Sequence, residues 1–304
     1  MSEYRGVVPP VLTPLHPDGS IDLESLDRLV DHLIDGGVDG LFALGSSGQV
    51  AYFTDAERDT ITSRVAARAA GRVPVLVGTP DFTAARMSEQ AVRAVANGAD
   101  GVVVTAPLYA INDQAEINRH FRMIASSVDV PVFAYDVPVR VHSKLGLGLV
   151  MDLAKDGVIA GLKDSSGDDV AFRRLVAANA EAGSPLSVLT GHEVMVDGML
   201  LLGADGVVPG LGNVDPAGYA RMWKLSQEGD WVGVRAEQDR LAKLFEIVFV
   251  PQGRSGDAGG IGAFKAALEI MGVIESGAMP APLEGLTPAD HEGIAAILSE
   301  VGLR

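Results

Sequence analysis

The 304-residue chain contains no cysteine, which removes disulfides, thiolate nucleophiles and cysteine-ligated metal sites together and leaves the compartment open. No apolar run approaches the roughly 18 residues that would cross a bilayer. The start, Met1-Ser2-Glu3-Tyr4-Arg5, has neither the basic nor the apolar region of a targeting signal. Basic residues are scarce: 24 Lys and Arg face 40 Asp and Glu, a formal charge of −16. That field repels phosphate backbones and anionic lipid, so neither nucleic acid nor membrane is an expected partner. A cytoplasmic protein acting on a small molecule is the expectation that remains. The six histidines, His16, His32, His120, His142, His192 and His291, form no pair at metal-ligand spacing, and no metal is expected. A dinucleotide fingerprint is missing too, since Gly206 to Gly212 lacks the required glycine spacing.

What is present is alternation. Short β-branched runs at 6–12, 40–44, 73–77, 101–105, 130–135, 158–163, 187–190 and 206–209 are separated by amphipathic stretches. Residues 22–34 show the helical i, i+3, i+4 spacing through Leu26, Leu29, Val30 and Leu33, and 55–70 follows Thr54 as an N-cap. Eight strands with interleaved helices predict a (β/α)8 TIM barrel. A phrase recurs in support: Gly37-Val38-Asp39-Gly40, Gly98-Ala99-Asp100-Gly101 and Gly203-Ala204-Asp205-Gly206 each end a helical pattern and open a strand. Glycine at a helix C′ position explains its first residue, and plain helix-stop turns would read the same way. The barrel is expected over 1–225. Residues 226–304 then form a C-terminal three-helix extension of the same unit, with helices at 230–248, 259–271 and 287–301. Within it, Gly253-Arg254-Ser255-Gly256 reads as a surface loop.

In such a barrel, chemistry belongs at the C-terminal ends of the strands. Lys163 is carried there by Val158-Ile159-Ala160-Gly161-Leu162. An ordinary lysine is neutral in only about one molecule in 2,500 at pH 7, so nucleophilic use requires a dry or positive site that lowers its pKa by about three units, which destabilises the charged form by about 4 kcal/mol. A rim lysine paired with Asp164 fits the position as well. Glycine at 161 is expected to leave room for a substrate. The loop Gly45-Ser46-Ser47-Gly48-Gln49 offers hydroxyls and backbone N–H groups to a carboxylate, or is a structural turn. Tyr135 ends its strand as a proton carrier or as a packed ring. Arg140 clamps a carboxylate or pairs with an acidic side chain. Gly191-His192-Glu193 is site-adjacent by position, or simply starts a helix.

Taken in order, Gly45-Ser46-Ser47-Gly48, Tyr109, Tyr135-Asp136-Val137-Pro138-Val139-Arg140 and Gly161-Leu162-Lys163-Asp164 resemble the motifs of the dihydrodipicolinate synthase/N-acetylneuraminate lyase family of pyruvate-dependent class I aldolases. The resemblance spans essentially the whole chain. It implies that Lys163 forms a Schiff base with pyruvate or another 2-keto acid, with no cofactor beyond that imine. It implies further that Tyr135 transfers protons, that Ser46 relays them, and that Ser47 and Gly48 hold the carboxylate. Arg140 and Val207 complete the substrate-binding set. Tyr109 matches a tyrosine inserted into the neighbouring subunit's site, which implies a homotetramer built as a dimer of dimers.

Departures from the family's pattern bear on the substrate. Gln49 stands where glutamate is common, Asp136 where asparagine is usual, and Val141-His142 where the synthase branch has Thr-Gly. Arg140 favours a dihydrodipicolinate synthase-like condensation. A sugar-acid aldolase or dehydratase using the same imine, and a keto-acid-binding barrel without turnover, are the alternatives. Val50, Phe82 and Leu108 replace the polar or aromatic groups of lysine-regulated members, so no inhibition by lysine is expected.

Overall fold

The computed structural model describes residues 4–304; residues 1–3, on which the reading of the chain's start partly falls, lie outside the described residues. Eight short parallel strands form one sheet: β1 (Gly6–Val7), β2 (Leu41–Ala43), β3 (Val75–Gly78), β4 (Gly101–Thr105), β5 (Val132–Asp136), β6 (Gly161–Asp164), β7 (Ser187–Thr190) and β8 (Gly206–Val207). Each pairs with its neighbour in sequence from β2 to β8, and β8 pairs with β1. The seam between β1 and β2 is closed by a parallel bridge from Pro10 to Phe42, with Val11 N donating to Phe42 O at 2.9 Å and Phe42 N to Pro9 O at 3.0 Å. The result is the expected TIM barrel.

Proline explains why several strands are shorter than their apolar runs. Pro9 and Pro10 have no N–H to give, which cuts β1 to Gly6–Val7, and Pro74 and Pro131 delay the start of β3 and β5. The connecting helices are α1 (Leu23–Asp35), α2 (Asp55–Ala69), α3 (Ala84–Ala96), α4 (Gln114–Ala125), the short α5 (Pro138–Val141), α6 (Leu147–Lys155), α7 (Asp169–Glu181), α8 (Val196–Leu202) and α9 (Pro216–Glu228). Thr54 caps α2 in a capping box with Glu57, as its position foretells. In the recurring phrase the first glycines have positive φ, 88° at Gly37, 97° at Gly98 and 102° at Gly203. Its aspartates have a use that local sequence does not reveal. Asp39, Asp100 and Asp205 accept the N–H of Val7, Val75 and Val188 at 2.8, 2.8 and 2.9 Å, each stitching the start of an adjacent strand.

α9 runs to Glu228 and is capped by Gly229, a little beyond the expected division at 225. The extension consists of α10 (Trp231–Phe245), α11 (Gly262–Ile270) and α12 (Pro288–Glu300). Their apolar faces, including Leu241, Leu244, Ala267, Ile294 and Leu298, join the barrel's own core in one cluster. Residues 251–261 are more than a surface loop, because they include a π-helical turn at Asp257–Ile261 that brings Asp257 to the barrel mouth. No helix among the described residues is long and apolar enough to cross a membrane.

Candidate active site at the barrel mouth

Strand register decides which side chains enter the barrel. Thr105, Tyr135, Lys163, Leu189 and Gly206 are lateral partners across β4 to β8 and share the inward layer. Lys163 is 7% exposed, with Nζ 4.3 Å from the centre of the Tyr135 ring and 5.2 Å from that of Phe42. Phe42 and Tyr135 meet edge to face at 6.3 Å. Lys163 therefore points into an aromatic cup, and Asp164, the next residue, faces the opposite side of the sheet.

The Tyr135 hydroxyl lies 3.5 Å from Ser46 Oγ. Burial pushes the Tyr135 phenol up, but the Lys163 charge and hydrogen bonds with Ser46, Ser165 and Lys163 outweigh it and bring the phenol below its ordinary value. Ser46 belongs to the turn after β2, where two non-glycine residues, Leu44 and Gln49, have φ of 54° and 61°. This strain brackets the turn that presents Ser46, Ser47 and Gly48. Gly48 is required because a Cβ there would sit 2.9 Å from Val11 O, and its own carbonyl accepts from Thr13 Oγ1 at 2.9 Å. Gly161 serves packing and does not open space for a substrate: a Cβ would come within 2.3 Å of the Phe133 ring.

Four further sequence-derived residues lie outside the inward layer that carries Lys163. Arg140, on α5 at the rim, is engaged by Asp257 through two hydrogen bonds, one of 3.0 Å from Nη1 to Oδ2. Val207 aligns with Thr190 and Asp164 in the layer facing the helices, so its side chain does not face the barrel interior. Tyr109 is 88% exposed, with φ of 69°, and stands outside its own chain's constellation. His142 ends α5 with φ of 55° and is exposed.

Other groups at the mouth were given no role by the sequence. Glu193 accepts from the N–H groups of Gly210 and Leu211 at 2.6 and 3.0 Å, tying the loop after β7 to the loop after β8. Burial raises its pKa, against the pull of those N–H groups and of the Lys163 charge. Its only signal was its place at a strand end. Asp257 gave none, being 117 residues from its partner. A cavity of about 210 Å³ beside the Tyr135 ring is lined by Ser46, Gln49, Arg58, Thr105 and Arg140. Gln49 Oε1, Thr105 Oγ1 and Arg58 Nε are buried there without a hydrogen-bond partner. A wider opening of about 570 Å³ is bordered by Ser47, Glu193, Arg254 and Asp257. Among the described residues, His16, Asp22 and Glu275 alone gather with ligand atoms within 4.8 Å of one another, and none belongs to the Lys163 constellation.

Known proteins with these features agree with one another. The Dihydrodipicolinate synthetase family model matches residues 3–301. An uncharacterised DapA-like lyase of Halobacterium salinarum is 33% identical over 98% of this chain and 94% of its own length. A 4-hydroxy-tetrahydrodipicolinate synthase of Methanoculleus marisnigri is 30% identical over 98% of this chain and its whole length. Among solved structures, YagE, an E. coli K12 prophage protein of the dihydrodipicolinic acid synthase family in complex with pyruvate, superposes with a TM-score of 0.93 at 29% identity, covering both chains entirely. The Thermotoga maritima dihydrodipicolinate synthase gives 0.91 at 28% identity over 99% of each. Fold, strand-end chemistry and relatives converge on one conclusion: the chain belongs to the dihydrodipicolinate synthetase family of lyases.

Proposed function

We propose that the protein is a class I aldolase whose Lys163 forms a Schiff base with pyruvate or a related 2-keto acid. The observation that carries this reading is the placement of a buried lysine amine against the Tyr135 ring, with Ser46 within reach of the Tyr135 hydroxyl. The neutral amine adds to C2 of the keto acid, and loss of water leaves an iminium. The iminium accepts the electron pair released when a C3 proton passes to a Tyr135 phenolate, giving an enamine. The enamine's C3 attacks an aldehyde carbonyl, the new alkoxide takes a proton from Tyr135, and water hydrolyses the imine. Cleavage is this sequence reversed. The lowering of the phenol from its ordinary value favours Tyr135 in both proton steps. Ser47 and Gly48, in the turn beside Ser46, would hold the carboxylate, and no cofactor is needed.

A specific observation favours a particular second substrate. Arg140, the group that would attract an anionic aldehyde, already has a carboxylate in Asp257, and on the same opening Arg254 and Glu193 offset one another. An uncharged, hydroxylated aldehyde, as in sugar-acid aldol chemistry, therefore fits better than aspartate semialdehyde. Turnover assays on both classes decide this: equal or better activity with the anionic aldehyde contradicts the preference. The proposed assembly is a homotetramer in which the exposed Tyr109 serves a neighbouring site.

A further inference from the structure

The register that aligns Tyr135 with Lys163 also aligns the next residues, Asp136 with Asp164. Alternation turns this second pair toward the helices, where Asp136 is 1% and Asp164 6% exposed, in a layer with Leu147, Val150 and Leu175. Two carboxylates side by side in such a layer repel unless a cation lies between them. Lys144 is that cation: its Nζ donates to Asp136 Oδ2 and lies 3.7 Å from Asp164 Oδ2. The remaining oxygens are also held. Asp136 Oδ1 accepts from Leu145 N at 3.1 Å, and Asp164 Oδ1 accepts from Ser166 N and Oγ at 2.8 and 2.7 Å.

We propose that Lys144, Asp136 and Asp164 form a positioning clamp, set behind the sheet, that fixes the approach of Tyr135 to Lys163. Asp136 anchors the segment following the Arg140 turn, and Asp164 anchors the turn carrying Ser165, one of the side chains that lower the Tyr135 phenol. All three lie behind the sheet, away from the inward layer of Tyr135 and Lys163. Their effect runs through the ends of β5 and β6, which shift when the ammonium is removed and the two buried carboxylates must move apart or share a proton. A displacement of about 1 Å at reacting groups can cost about 100-fold in rate. For its catalytic consequence, though not for its geometry, the proposal rests on the imine reading above.

The test compares Lys144→Met, Lys144→Arg and the double variant Lys144→Met/Asp136→Asn, each checked for native circular dichroism. The first readout is the ionisation of Tyr135, followed by ultraviolet difference spectra against a Tyr135→Phe control; it needs no substrate. The second is the rate of borohydride-trapped pyruvate adduct at Lys163. In Lys144→Met, Tyr135 should titrate at higher pH, and adduct formation should slow by about 10- to 100-fold with half-saturating pyruvate changed less than about threefold. The double variant, relieved of one carboxylate, and the arginine variant should recover both readouts to within about threefold of wild type. A folded Lys144→Met protein whose Tyr135 titrates as in wild type overturns the clamp. A wild-type protein that forms no adduct overturns the imine reading instead, and the Tyr135 titration still decides the clamp.

Discussion

Lys265 on α11 is fully buried, and its Nζ donates to Ala278 O at 3.0 Å. Burial alone pushes this ammonium down to about 7. Because the folded pKa lies below that of the unfolded chain, folding releases a proton between about pH 7 and 10.5. Stability attached to this residue is therefore present above the unfolded pKa, is lost as pH falls toward 7, and is flat below that. The full difference is on the order of 5 kcal/mol. Lys265→Met should accordingly be more stable than wild type at pH 7, with the advantage vanishing near pH 10. Urea denaturation of both proteins at several pH values checks this, and a pH-independent difference between them counts against it. At the same scale, the sequence pointed to Lys163, Tyr135 and Ser46 because each ends an apolar run at the catalytic face. It could not point to Asp257, whose meaning depends on Arg140 across 117 residues, and it misassigned Val207 because a one-residue slip in a strand exchanges inside for outside.

Among the elements, the strands were legible as apolar runs, and their ends were blurred where proline withholds an N–H. The recurring Gly-x-Asp-Gly phrase was legible only as a helix stop, since the N–H that each aspartate accepts belongs to another strand. Asp205→Ala should cost about 1 kcal/mol by leaving Val188 N without that acceptor, while Asp205→Asn, which keeps an oxygen, should cost less. Equal losses in the two variants would assign the effect to the Arg5 ion pair of Asp205. β6 offers a sharper case. Gly161→Ala places a methyl 2.3 Å from the Phe133 ring, an overpacking expected to cost about 1–3 kcal/mol. Denaturation midpoints measure it, and relief by the companion change Phe133→Leu is expected; a neutral Gly161→Ala would return the glycine to the role of making room for substrate.

For the whole molecule, a charge of −16 opposes the approach of an anionic keto acid unless positive groups are concentrated at the barrel mouth. The mouth does gather positive groups, with Lys163, Arg58, Arg140 and Arg254 against Asp257 and Glu193, although Arg140 is already paired with Asp257. Selectivity then falls on the few donors near Lys163. Barrel and extension were both legible because eight β/α repeats and three trailing amphipathic helices leave periodic traces. Assembly left only Tyr109. If Tyr109 serves a neighbour's site, Tyr109→Phe and Lys163→Ala proteins, each impaired alone, should regain activity when mixed and allowed to exchange subunits, because a mixed pair contains one intact site. Activity no greater than the sum of the separate proteins would mean that each site is complete within one chain. The account as a whole turns on Lys163, and reduction with borohydride in the presence of pyruvate, followed by peptide mass spectrometry, tests it most directly. A reduced pyruvate adduct on Lys163, absent from Lys163→Ala, is the predicted result; pyruvate binding with no adduct, or an adduct on another lysine, would contradict it.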